Sequence, residues 1–167
     1  MKNARSGSQS AMPPGRARIV LRVEEPRWRG LDLKKLRDAA KRAQARAGHF
    51  GELTVLLTTD ERLCALNARH RGKPKPTNVL AFPADRNEGG YLGDIAVAYG
   101  VAAEEAAASG KPLGDHAAHL LVHGLLHLVG YDHHTAREAR RMEGLEVAIL
   151  REMGIADPYG RRMEQLA

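Results

Sequence analysis

Two short segments near the start of the chain carry the β-branched, partly alternating pattern of strands: "RIVLRVEE" (18 to 25) and "ELTVLLTT" (52 to 59). Between them, Leu33, Leu36, Ala40, Ala43 and Ala47 recur at helical spacing, and Gly48 is placed to end the helix they define. Strand, helix and strand in that order predict a parallel pair joined by a right-handed crossover.

Further on, Thr59 or Asp60 can cap a short helix, "ERLCALNARH", which the two prolines of "RGKPKP" should end, because proline cannot donate into a helix. "TNVLAFPA" (77 to 84) and "GDIAVAY" (93 to 99), joined by the turn-rich "DRNEGGY", predict an antiparallel pair and so a mixed sheet. The remainder reads as three helices: "VAAEEAAAS" before Gly110, residues 113 to 129 before Gly130, and a helix opened by a Thr135/Glu138 capping box. The expected architecture is one α+β domain over residues 17 to 167, with about four strands and about five helices. Residues 1 to 16 read as a disordered tail.

Composition narrows the function classes. The single cysteine, Cys64, excludes a disulfide framework or a multi-thiolate metal site within the chain and suits a reducing cytosol, so a cytoplasmic protein is expected. No run approaches 18 apolar residues, and the first 16 residues lack the apolar stretch of a secretory signal, so no membrane partner is expected. A net charge of +6 and a pI near 9.8 favour anionic partners, although scattered arginines serve a solvated surface equally well. Two Phe and one Trp are too few for a base-stacking platform.

The chemistry concentrates in "HGLLHLVGYDH", residues 123 to 133. On a helix, residues four apart share a face, so His123 and His127 can point at one ion, with His119 continuing the stripe a turn earlier. Gly130 can take the left-handed backbone that turns the chain back, which would bring His133 to the same ion. Three neutral imidazoles suit zinc and leave a fourth position for water. Zinc peptidases place a glutamate general base directly after the first histidine; here that position is Gly124, so peptidase chemistry of that kind lacks its base. Asp132 can orient an imidazole, accept a proton from bound water, or cap the following helix.

Together, "LNARHRGKPKPTNVLAFP", "YLGDIAV", "GKPLGDHAAHLLVHG", "HGLLHLVGYDH" and "EMGIADPY" closely resemble the YbeY family of bacterial rRNA maturation factors and metal-dependent endoribonucleases, over about residues 52 to 159. The resemblance implies a zincin-like α+β fold and one zinc held by His123, His127 and His133. It also implies cleavage of single-stranded RNA at the small-subunit (16S) rRNA 3′ end, in rRNA maturation and ribosome quality control. The family's functionally important arginine falls on Arg71. Lys73 and Lys75 flank it, and all three can contact substrate phosphate. Three positions depart from the family pattern: His70 replaces an aromatic, Pro74 an acidic residue, and Ala81 a serine whose hydroxyl is lost. Ribosomal proteins and an assembly GTPase enter as candidate partners. Two other readings stay open: a non-catalytic assembly or RNA-binding factor whose zinc is closed by His119 or Asp132, and a metallohydrolase of another substrate.

Overall fold

A computed structural model describes residues 18–72, 77–85 and 90–160. The tail reading of residues 1 to 16, together with Lys73, Pro74 and Lys75, lies outside the described residues. The elements run β1 (Ile19–Val23), a 3-10 turn (Pro26–Gly30), α1 (Leu33–Ala47), β2 (Glu52–Thr58), α2 (Asp60–Arg71), β3 (Val79–Pro83), β4 (Tyr91–Ala98), α3 (Tyr99–Ala108), α4 (Leu113–Leu128) and α5 (Ala136–Glu152).

Local chemistry accounts for most of these boundaries. Asp32 accepts from the Lys34 and Lys35 amides to start α1, and Gly48 ends it at φ 70°. Thr59 caps α2 through the Arg62 amide, and Gly72, at φ 67°, ends that helix before the prolines are reached. Arg71 is therefore the last helical residue and not part of the loop. Thr135 caps α5 through the Glu138 amide, while Glu138 accepts from the His134 amide.

Two boundaries depend on distant residues. β1 stops at Val23 because the Glu24 and Glu25 amides both turn to the Leu57 carbonyl, leading into a 3-10 turn that the hydrophobic pattern does not announce. That turn buries Trp28 completely; its indole N–H donates to the Thr58 carbonyl at 3.1 Å. α3 has no side-chain cap of its own, and Asp60, at the start of α2, instead accepts from its Val101 amide at 3.0 Å.

The sheet order is β1-β2-β4-β3, with β1 parallel to β2, β2 parallel to β4, and β3 antiparallel to β4. The mixed sheet is as expected; the central join of β2 to β4 is what makes the two predicted pairs one surface. α4 packs on β3 and β4 and is surrounded by α1, α3 and α5. Leu121, Val122, Leu125 and Leu126 of α4 meet Leu53, Val55, Ile95 and Val97 in the main core. A smaller cluster of Leu63, Leu80, Ala96 and Ala98 joins α2 to the sheet. Among the described residues, no helix is long and apolar enough to cross a membrane.

Candidate metal centre

From Ala117 to Leu128, every residue of α4 is buried except His119, His123 and His127. Over that stretch the helix is a core element whose only partly exposed side chains are imidazoles. At its C-terminus Gly130, at φ 107°, reverses the chain, and the Tyr131 amide donates back to the Leu126 carbonyl at 2.9 Å. The turn brings His133 beside the stripe. Its ring centroid lies 4.9 Å from that of His127 and 6.0 Å from that of His123. One nitrogen from each of His123, His127 and His133 can be chosen so that all three lie within 4.8 Å of one another; together they could hold a metal ion.

The donor chemistry fits that role. Burial, then the neighbouring imidazoles of His123 and His133, hold the His127 pKa below its ordinary value, which favours the neutral ring a metal requires. His123 is oriented from behind: its Nδ1 lies 3.1 Å from Glu146 Oε1, leaving Nε2 as the ring nitrogen clear of that contact. The same oxygen takes His119 Nε2 at 2.8 Å, and the Tyr159 hydroxyl donates to both carboxylate oxygens at 3.1 and 3.2 Å. Burial would raise the Glu146 pKa, but hydrogen bonds from His119 and His123 outweigh it and bring the value down to about 2. Glu146 and Tyr159 escaped the sequence reading. The available signal was a glutamate on the apolar stripe of α5, in helical register with Met142, Ile149 and Leu150.

Of the two residues weighed as a fourth ligand, His119 is turned to Glu146 and lies outside the three-histidine group. Asp132 uses Oδ1 for the His133 amide at 2.8 Å and Oδ2 for His134 Nε2 at 2.7 Å. The His133 amide first, and then the nearby histidines, hold its pKa below the usual carboxylate value. Asp132 does not cap α5, since Thr135 does, and its 3.9 Å separation from His133 Nδ1 is too long for a hydrogen bond. It shapes the ligand loop through the backbone.

The three histidines open into a cleft of about 540 Å³. Arg71 and the β3 residues Val79, Ala81 and Pro83 line it from one side, and His123, His127, Asp132 and His133 from the other. Arg71 is exposed and makes no ion pair among the described residues. Asp132 is the one carboxylate lining the cleft among the described residues. Ala81, where the resemblance predicts a serine, sits on the lining. His70 does not reach it and packs its ring 4.9 Å from Phe82.

Fold and site together define a class: an α+β domain with a mixed sheet, whose central helix and the loop after it present three histidines able to hold a metal ion in a cleft. Within that class the chain belongs to the family described as endoribonuclease YbeY, whose sequence profile matches residues 21–154 and so extends upstream to β1. It is 43% identical over 167 residues to endoribonuclease YbeY of Dinoroseobacter shibae, covering 87% of this chain and 92% of that protein. It is 50% identical over 133 residues to endoribonuclease YbeY of Rhodopseudomonas palustris, covering 76% and 70% respectively. The fold also matches the solution structure of a Thermotoga maritima protein at a TM-score of 0.55 and 22% identity, over 81% of this chain and 91% of that one.

Proposed function

We propose that this protein is a zinc-dependent endoribonuclease that cuts single-stranded RNA, with the 3′ end of small-subunit rRNA as its substrate and the cytoplasm as its location. The observation that carries the reading is the shared cleft: three imidazoles able to hold one ion face the same space as an arginine that makes no ion pair among the described residues. A phosphodiester is anionic, and such a site combines the positive charge needed to bind it with that needed to stabilise it in reaction.

His123, His127 and His133 would hold the zinc, which when bound supplies Lewis acidity and lowers the pKa of a coordinated water toward about 7. Arg71 offers planar donors to the phosphate and compensates charge that builds on its oxygens. Lys73 and Lys75, next in sequence, extend that contact as phosphate-binding cations. With Gly124 in the place of a peptidase glutamate, Asp132 is the carboxylate lining the cleft among the described residues that is available to take a proton, and the hydrogen bond from the His133 amide, with the His134 ring close to its other oxygen, favours its ionised form. Ribosomal proteins and an assembly GTPase are the partners that would bring such an enzyme to pre-ribosomal substrate.

The test is cleavage of a single-stranded rRNA 3′-end fragment by protein of known metal content, beside a His123→Ala protein prepared identically. Cleavage that requires both zinc and His123 is expected. A product 5′-phosphate would identify water as the nucleophile, and a 2′,3′-cyclic phosphate the substrate's own hydroxyl. Stoichiometric zinc with no cleavage above the His123→Ala background would instead support a non-catalytic assembly factor.

A further inference from the structure

We propose that Glu146 and Tyr159 form a positioning pair through which the C-terminal segment sets the metal-binding geometry of His123. The inference rests on the reading of His123 as a ligand and adds two residues from outside the ligand motif.

Glu146 is a carboxylate whose side chain is only 1% exposed, lying among the core residues of α5. A charge so placed is tolerated when its lone pairs are filled by well-aimed donors. Three donors meet it: His119 Nε2 at 2.8 Å, His123 Nδ1 at 3.1 Å and the Tyr159 hydroxyl at 3.1 Å. An ionised carboxylate has no proton to give, so the hydrogen of each of these bonds must come from the partner. His123 is thereby held as the Nδ1–H tautomer, with its lone pair on Nε2. Among the described residues neither of the other two proposed ligands has a carboxylate anchor: the nearest carboxylate to a His133 ring nitrogen lies 3.9 Å away, and the His127 ring is held by the Tyr131 backbone instead. His123 is the ligand tied to the buried carboxylate of α5, and His119 completes the set of donors.

Tyr159 reaches this array from beyond the last long helix. The chain after α5 folds back: the Ile155 amide donates to the Leu150 carbonyl at 2.9 Å, and the Tyr159 amide to Asp157 Oδ1 at 2.7 Å. Lys111, just ahead of α4, donates to the Pro158 carbonyl at 3.4 Å. The Tyr159 ring stands edge-on to His119, with centroids 5.6 Å apart and planes at 90°. The Asp-Pro-Tyr turn is therefore docked against both α4 and α5, and its hydroxyl spans both oxygens of Glu146. Removing that hydroxyl frees the carboxylate to rotate away from His123 Nδ1.

A purely structural tie between α4 and α5 would alter stability and leave the imidazole chemistry unchanged, so the test reads the ring itself. The histidine nitrogens of metal-free wild type, Glu146→Gln and Tyr159→Phe are compared by 15N NMR, and zinc affinity is measured by chelator competition. Wild-type His123 should be the pure Nδ1–H tautomer. Glu146→Gln should show mixed tautomers and zinc bound roughly 10- to 100-fold more weakly; Tyr159→Phe should change both in the same direction by less. Wild-type tautomer and affinity in both variants would overturn the proposal while leaving the zinc reading standing. If wild type bound no zinc, the ligand reading itself would fail. If Glu146→Gln does not fold, Tyr159→Phe, which removes one hydroxyl, decides the matter.

Discussion

Gly124 lies directly against Val79: a methyl group in place of its hydrogen would sit 3.0 Å from Val79 Cγ2 and 3.1 Å from Ile95 Cγ2. The position that would carry the base in a zinc peptidase is thus a tight contact of α4 with β3 and β4. Even a methyl group there requires Val79 and Ile95 to give by a few tenths of an ångström, between the two helical histidines His123 and His127. Gly124→Glu is expected to lose about 3 kcal/mol or more of stability, from overpacking and a buried charge, and to gain no peptidase activity. Gly124→Ala should lose about 1 kcal/mol, because its better helix propensity offsets part of the overpacking. Urea unfolding measures both, and a fully stable Gly124→Glu protein would refute the close packing.

Arg71 is exposed at the end of α2 on the cleft lining, with no carboxylate partner among the described residues. Arg71→Glu should keep the fold and metal content while weakening RNA binding, with a larger effect at low salt. Lys73→Ala and Lys75→Ala should each lower the slope of log affinity against log salt by roughly one contact's worth. An unchanged salt slope in all three variants would remove these cations from the substrate path.

Metal binding should add stability, because a folded site binds the ion and an unfolded chain does not hold these three imidazoles together. At zinc concentrations about 1,000 times the dissociation constant the gain is about 4 kcal/mol. Chelation should therefore lower the thermal midpoint of wild type and leave that of His127→Ala unmoved. Equal shifts in the two proteins would count against the three-histidine site.

The only tryptophan, Trp28, is fully buried, bonded to the Thr58 carbonyl and set edge-on to Tyr99 with centroids 5.1 Å apart. Trp28→Phe removes the donor and leaves a partial cavity, so a loss of about 2 kcal/mol is expected in urea unfolding. A midpoint within error of wild type would mean that the 3-10 turn contributes nothing to the core.

Glu152 joins α5 to α1 through Arg46 at 2.6 Å and Arg42 at 3.5 Å, and the hydrogen bond from Arg46, despite slight desolvation, holds its pKa below 4.5. A carboxylate depressed in the folded state stabilises the protein above its unfolded pKa and loses that contribution as pH falls through the folded value. Glu152→Gln should therefore be less stable than wild type at pH 7 by roughly 0.5 kcal/mol, since the pair is partly exposed. The difference should shrink as pH falls below 4.5 and as salt rises. A pH-independent difference would point to packing instead.

Much of this protein is determined by local sequence. The strands around residues 19–23 and 52–58, the helix caps at Asp32, Thr59 and Thr135, and the left-handed turns at Gly48 and Gly130 all follow from side chains within a few residues of where they act. The ligand set is legible for the same reason: His123 and His127 share a helix face by periodicity, and Gly130 supplies the reversal that brings up His133.

Tertiary structure decided what depends on residues far apart in sequence. The pairing of β2 with β4, the capping of α3 by Asp60 and the burial of Trp28 against Thr58 each need a partner tens of residues away, which no local pattern announces. Gly124 shows only a missing side chain in sequence; the approach of Val79 and Ile95 explains why nothing larger stands there. Glu146 reaches His123 Nδ1 from 23 residues further along the chain, and Tyr159 reaches Glu146 from 13 residues beyond that, because the packing of α5 and the fold-back after it bring their oxygens together. Hydrogen bonding between such partners depends on distance in space, and the packed core alone sets that distance.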